Sequence, residues 1–224
     1  AMRAGAGLVG IAAPTNAAYI YRGRERALIV SEADSLDRFA SLLVEKKPDA
    51  IVIGPGLGLS ADSKDKVGAV LKHGGPAVID ADALTAFADD PDALFRQLSA
   101  HHVLTPHEGE FARLFPDLTG CRIDRARDAA ERAGAIIILK GRDTVIALPD
   151  RSVLINNNAP SGLAVAGSGD VLAGIIGALL ARGMPADKAA PAAVWLHGAT
   201  GKLAENGAIA DDLPGSVARV LAQL

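Results

Sequence analysis

Ala166-Gly167-Ser168-Gly169-Asp170 runs without interruption into Val171-Leu-Ala-Gly-Ile-Ile-Gly-Ala-Leu-Leu-Ala181, an apolar stretch rich in small residues. A glycine-rich turn that feeds a helix aims unpaired backbone N–H groups outward at the positive end of the helix dipole, where a phosphate can be held. Gly167 and Gly169 let that backbone approach a ligand closely. Asp170 stands at the rim of the resulting anion hole, where a carboxylate can take the proton of a hydroxyl as a phosphoryl group arrives. Taken alone, these five residues are better described as a plain turn with Asp170 as a helix cap. Their neighbours favour the ligand site. Asn156 to Asn158, with Ala159-Pro160, is too polar for a buried strand and is placed to line a ligand site directly before the loop. Ala173, Gly174 and Gly177 keep one helix face small, so the helix can pack closely beneath the loop.

Outward from this loop, short β-branched runs alternate with longer segments of helical period, the pattern of strands joined by helical crossovers into a mostly parallel sheet flanked by helices. The predicted strands are 8–12, 27–30, 50–53, 77–79, 103–104 and 135–139; the predicted helices are 36–45, 63–73, 109–114, 122–132, 170–181, 187–203 and 214–223. Strands at 144–148 and 152–155 flank Pro149-Asp150, a hairpin signal that puts an antiparallel edge on the sheet. No Gly-, Ser- or Pro-rich linker divides the chain and no repeat interrupts it, so a single α/β domain over 1–224 is expected.

Half of the 224 residues are apolar, enough for a substantial core. The net charge of −3 and the lack of a dense Lys/Arg run argue against a nucleic-acid surface, which needs clustered cations. Gly5, Gly7 and Gly10 break the opening segment, so it is no export signal. The apolar stretch 171–181 is far shorter than the run of about 20 residues that spans a bilayer. Cys121 is the sole cysteine, which excludes an intrachain disulfide and favours a reducing compartment. A soluble cytoplasmic protein without nucleic-acid or membrane partners is expected.

Three further segments carry chemistry. Gly54-Pro-Gly-Leu-Gly58 follows a predicted strand, at the carboxyl end where open α/β sheets bind ligands. Asp80 and Asp82 close the next strand, where carboxylates can organise substrate hydroxyls or a hydrated magnesium, or where Asp82 can cap the following helix. Lys140-Gly141-Arg142-Asp143-Thr144 opens the hairpin with charges and hydroxyls that suit nucleotide phosphates, or a solvated turn. Thr105-Pro106-His107-Glu108 has the form of a helix start, with Thr105 as N-cap and Glu108 closing a capping box. His197, on an apolar helical run, reads as a packed or capping residue.

Asn158-Ala-Pro-Ser-Gly-Leu-Ala-Val-Ala-Gly-Ser-Gly-Asp-Val-Leu-Ala-Gly174 resembles the signature of the NAD(P)H-hydrate dehydratase family, which belongs to the ribokinase-like superfamily. The resemblance extends to Arg3-Ala-Gly-Ala-Gly-Leu-Val9, Gly54 to Gly58, Val78-Ile-Asp-Ala-Asp-Ala-Leu84, Thr105-Pro-His-Glu-Gly-Glu-Phe111 and Leu139 to Thr144, in order and spacing. It implies a ribokinase-like three-layer fold and an enzyme that returns the S form of hydrated NADH or NADPH to the reduced cofactor through a phosphorylated intermediate. ADP or ATP would be the donor, with Mg²⁺. By the same resemblance Asp170 is the base and Gly167, Ser168 and Gly169 hold the phosphoryl group. Gly56, His107, Asp80, Asn158 and Asp170 would face the substrate, and Lys140 to Thr144 with Gly169 the adenine nucleotide. The superfamily's Asn-x-x-Glu motif organises magnesium; here His107 and Glu110 stand at that spacing, so Glu110 could act on the ion through water. His107 is similar to the bacterial dehydratases, which suggests ADP as donor, and the family suggests a homo-oligomer, a tetramer. Members usually carry a further glycine-rich segment before the Arg-Ala-Gly-Ala-Gly motif, so a lacking N-terminal segment is expected. A kinase acting on a vitamin precursor would use the same anion hole; a catalytically silent nucleotide-binding module would not need Asp170 in an intact loop.

Overall fold

The computed structural model describes residues 1–204 and 207–224. Strands β1 (Gly10–Ala13) and β2 (Ile29–Glu32) pair in parallel as a sheet of their own, joined by helix α1 (Thr15–Arg24). Six more strands form the central sheet: β3 (Ile51–Ile53), β4 (Ala77–Ile79), β5 (His102–Leu104), β6 (Ile136–Leu139), β7 (Thr144–Ala147) and β8 (Val153–Asn156). They lie side by side in sequence order, the first four parallel and the last two added as an antiparallel hairpin. The expected mostly parallel sheet with an antiparallel edge is therefore present. What differs is that the first two strands stay outside it. Gly10-Ile-Ala-Ala and Ile29-Val-Ser-Glu offer few large apolar side chains, and of the eight residues only Ala13 is buried, so little draws them into the central core.

Because parallel strands in sequence order are joined by right-handed crossovers, every crossover helix lands on the same face. That face is covered by α3 (Ser63–His73), α4 (Asp82–Thr85), α5 (Pro91–Phe95), α6 (Glu108–Leu114) and α7 (Arg122–Ala133), with α2 (Leu36–Lys46) packed beside α3. The opposite face has to be closed by segments that follow the sheet: α8 (Ser168–Ala181), α9 (Ala186–Leu203) and α10 (Leu213–Leu221). The strands feed both layers by their period of two. Ile79, Leu104 and Ile137 pack with Phe111 and Phe115 on one side, while Val78, Val103, Ile136 and Ile138 pack with Leu172, Ile176 and Leu196 on the other. Strands buried on both faces read as continuous apolar runs.

The small residues of α8 do what their pattern suggests. A Cβ on Gly177 would come within 2.5 Å of Val52 Cγ2, so the helix lies against the edge strand as closely as a backbone can. Sequence patterning did not indicate α1, α4 or α5. Only Ala18 of α1 is buried, which leaves no apolar stripe to read, and the other two span about one turn each.

Candidate active site

The carboxyl ends of β4 and β6 meet the N-terminus of α8 over an ion pair. Asp80, immediately after β4, is 1% exposed and accepts a hydrogen bond from Lys140 Nζ at 2.8 Å. The same ammonium lies 3.8 Å from Glu110 Oε2. A buried carboxylate is costly without a partner, so Asp80 and Lys140 hold each other. The first turn of α8 rests on this pair: a Cβ on Gly169 would lie 3.4 Å from Lys140 Nζ and 4.0 Å from Asp80 Oδ2.

Gly167, the N-cap of α8, has φ 82°, a left-handed conformation that glycine adopts without strain. No side chain caps this helix; the Ser168 amide donates to Val165 O at 3.2 Å, and the amides of Gly169 and Asp170 that follow it are the ones left for an anion. Asp170 sits in that first turn, exposed, with its carboxyl raised above the usual carboxylate range. Partial burial is the leading cause; the charges of Asp80 and Asp82 add to it and Lys140 opposes it. Ser168 is buried and its Oγ lies 3.0 Å from His197 Nε2 on α9, so the hydroxyl ties two helices together. Burial, with help from the charge of Lys140, lowers His197 to about 4, and the imidazole stays neutral at physiological pH.

Other expected site residues take distinct places. Asn158 donates from Nδ2 to the Trp195 carbonyl at 2.9 Å and accepts from Asn156 Nδ2 at 2.8 Å. A Cβ on Gly198 would fall 1.6 Å from its Oδ1, so Asn158 pins its loop to α9 and its amide is engaged by protein. His107 is the N-cap of α6: Nδ1 accepts from the amides of Gly109 at 3.0 Å and Glu110 at 3.2 Å, while Glu110 Oε2 accepts from His107 N at 2.8 Å. The capping box is thus built two residues later than the Thr105/Glu108 reading. Thr105 N still donates to Ile79 O, extending the β4–β5 ladder, and the Glu108 side chain is taken by Arg125 and Arg122, so α6 opens at Glu108 without the Thr105/Glu108 capping pair.

In the 140–144 turn, Lys140, Arg142 and Asp143 follow the end of β6, and the Thr144 hydroxyl donates to Gly141 O at 3.0 Å. Arg142 and Asp143 are exposed. Arg122 donates to the carbonyls of Leu139 at 3.1 Å and Lys140 at 3.0 Å, and a Cβ on Gly141 would collide with its guanidinium at 2.4 Å. On the other side, Gly56 has φ 67° with open space where a Cβ would point, and Gly58 N donates to Asp82 Oδ2 at 2.8 Å. Asp82 therefore binds the 54–58 loop.

A family model described as NAD(P)H-hydrate dehydratase matches residues 1–222. The chain belongs to the NAD(P)H-hydrate dehydratase family. The ADP-dependent (S)-NAD(P)H-hydrate dehydratase of Neisseria meningitidis serogroup B is 41% identical over 174 residues, 73% of this chain and 58% of that protein. The bifunctional NAD(P)H-hydrate repair enzyme Nnr of Mycobacterium leprae is 41% identical over 174 residues, 77% of this chain and 37% of that protein. The chain thus spans 37% to 58% of the length of these two curated relatives. Among solved structures, the ADP/ATP-dependent NAD(P)H-hydrate dehydratase from Bacillus subtilis co-crystallised with ATP/Mg²⁺ superposes with a TM-score of 0.85 at 30% identity, covering all of this chain and 81% of that one. A ribokinase-like superfamily protein from Enterococcus faecalis gives a TM-score of 0.84 at 26% identity, over 99% and 79% of the two chains. The fold is ribokinase-like.

As an NAD(P)H-hydrate dehydratase family member, the chain gathers Asp80, Glu110, Lys140, Gly169 and Asp170 in one place, while Asn158 and the Ser168 hydroxyl face α9. Sequence reading left out three residues that shape this family site. Arg122 gave no signal, being one arginine in a strongly charged helix; the His197-Gly198 pair, directly opposite Ser168 and Asn158, did. Among the described residues no group of three or more His, Cys, Asp or Glu is arranged to hold a metal ion.

Proposed function

We propose that this chain catalyses the nucleotide-dependent dehydration of the S form of hydrated NADH and NADPH. Asp170 carries the reading: a carboxylate of raised proton affinity in the first turn of a helix with no side-chain cap, the turn whose Gly169 rests on the Lys140–Asp80 pair. The glycine turn 167–169 would hold the transferring phosphoryl group, chiefly through the Gly169 amide since Ser168 N is engaged by Val165 O, and Lys140 would add positive charge beneath it. Asp170 takes the proton of the ring hydroxyl as its oxygen attacks the terminal phosphorus, and the bond to the nucleotide breaks. The ring nitrogen then expels phosphate, and loss of a ring proton restores the dihydropyridine. The donor is an adenine nucleotide held by the 140–144 turn; ADP is favoured by the ADP-dependent relative at 41% identity.

Mg²⁺ would enter with the nucleotide, with Glu110 reaching it through water; bound there, it neutralises phosphate charge. Glu110 Oε2 is engaged by the amide of His107, while its Oε1 lies 3.5 Å from the ring of His107 and accepts no hydrogen bond from the described residues, so one carboxylate oxygen could take an outer-sphere water. The substrate would lie toward Gly56, where the glycine-rich loop is open, and His107, whose ring is exposed.

Assembly into a homo-oligomer, a tetramer, belongs to the same proposal. Leu8, Tyr19, Ile20 and Ile29 lie exposed on and around the β1–β2 sheet and α1, as an apolar surface awaiting cover. The exposed, unpaired thiol of Cys121 supports a reducing, cytoplasmic setting. The deciding assay mixes hydrated NADPH with the protein, Mg²⁺ and ADP or ATP, and follows the near-ultraviolet absorbance of the reduced nicotinamide. Recovery that requires nucleotide and is lost in Asp170→Asn supports the reading; nucleotide binding with no recovery overturns it.

A further inference from the structure

The turn after β4 is built against its own local preference. Ala81 has φ 49° and ψ −119°, the mirror image of the first central position of a type II turn, a place that glycine normally fills. The hydrogen bond that closes such a turn is present, from Ala83 N to Asp80 O at 3.1 Å. A non-glycine residue held in this region persists only where its surroundings impose it. Here they do: Asp80 N is tied to Ile53 O at 3.0 Å, and Gly54, at φ 128°, presses so close that a Cβ there would fall 1.7 Å from the Asp80 carbonyl oxygen.

The turn sends its two acids to separate partners. Asp80 goes into the core to Lys140, and Asp82 returns across the surface to the amide of Gly58, 24 residues earlier in the chain. One short segment thereby fixes both the ammonium beneath the phosphate site and the far end of the open glycine loop. The hydrogen bond from Gly58 to a carboxylate is charge-assisted, the stronger kind.

We propose that Asp82 is a positioning residue that holds the 54–58 loop in its substrate-accepting shape through the Gly58 amide, with the strained Ala81 turn aiming it. The proposal rests on the dehydratase reading for the identity of the substrate and on the structure alone for the loop. Asp82 has a second, electrostatic consequence. The charged groups facing Asp170 are Asp80 and Asp82 from this turn and Lys140 from the end of β6; removing the Asp82 charge takes away one of the two neighbours that raise the Asp170 carboxyl.

The test uses Asp82→Ala and Asp82→Asn in the whole chain. Hydrogen–deuterium exchange is measured over residues 54–60 without ligand, beside ADP affinity and the KM for hydrated NADPH across pH. In Asp82→Ala we expect exchange in the loop and KM each to rise about tenfold, with ADP affinity unchanged. Asp82→Asn should restore the protection and the KM, because its carbonyl still accepts from Gly58. Both variants should shift the acid limb of the rate profile to lower pH, which a purely structural role would not do. Unchanged loop exchange in Asp82→Ala overturns the proposal, as does a loss of ADP affinity that matches the rise in KM. If the parent chain fails to turn over hydrated NADPH, the dehydratase reading falls, while the exchange experiment still decides whether Asp82 holds the loop.

Discussion

Lys140 reaches back 60 residues to place its ammonium 2.8 Å from the carboxylate of Asp80, at the point where the first turn of α8 comes down on the sheet. Removing one member of a buried pair leaves the other uncompensated. Lys140→Met should therefore lower stability by about 3 kcal/mol and abolish turnover. The double variant Lys140→Met/Asp80→Asn should regain most of the stability and none of the activity. Urea denaturation of the three proteins checks this; a double variant no more stable than Lys140→Met would show that the pair is not the cause.

The pH profile follows from Asp170. Its carboxyl is raised by burial, Asp80 and Asp82 and lowered by Lys140, and in the proposed role of base it would work only when deprotonated. Activity should fall, as the solution is acidified, at a pH above the ordinary aspartate range of about 4. Asp80→Asn reduces the negative charge near Asp170 but also releases Lys140, and both effects favour the ionised form. The acid limb of kcat/KM in any residual activity should move to lower pH.

Stability has its own pH window, set by two histidines outside the reaction. His102 on β5 is lowered to about 4 by burial and by the neighbouring charge of His101, and His197 to about 4 by burial. Both are neutral in the fold but gain protons on unfolding below about pH 6.5. Between that value and about 4 the unfolded chain binds more protons, so stability is greatest above the window and declines as pH falls through it. The decline is on the order of 3 kcal/mol for each group at most. His102→Gln should flatten the slope of urea midpoint against pH by about half; an unaltered slope would assign the acid sensitivity to the carboxylates.

The physical basis of what could be read from the chain is visible in these residues. Strands β4 to β6 are legible because continuous apolar runs bounded by turns have few alternatives, and α8 because a glycine turn and a small-residue face announce both ends of its role. The expected Thr105 cap failed because a local motif competes with a sheet bond that only the folded chain reveals. Arg122 and the Asp82–Gly58 bond were illegible for the same reason: each joins segments whose proximity depends on strand order. Asn158 illustrates a subtler limit. A polar residue before a glycine-rich loop suggests a ligand contact, and whatever it does there, the place that Gly198 opens for its amide against α9 is encoded by no local pattern.

Two glycines in one loop should respond very differently to the same substitution. At Gly54 a Cβ would fall 1.7 Å from the Asp80 carbonyl oxygen and 2.7 Å from its carbon, both backbone atoms. Gly54→Ala has no side chain to push aside, so β3 or the Ala81 turn must move, at a cost of more than about 3 kcal/mol. At Gly56 the backbone is also left-handed but the space around a Cβ is open. Gly56→Ala carries only the conformational penalty, about 1 kcal/mol, and should fold with the parent's spectrum. Because that open space is where we place the substrate, Gly56→Ala should raise the KM for hydrated NADPH while leaving ADP affinity as it was. Thermal melts separate the two variants first, since the steric collision is independent of any ligand. Comparable melting temperatures would mean that the loop does not pack against the Asp80 turn as closely as the structure has it. A well-folded Gly56→Ala with an unchanged KM would move the substrate away from this loop.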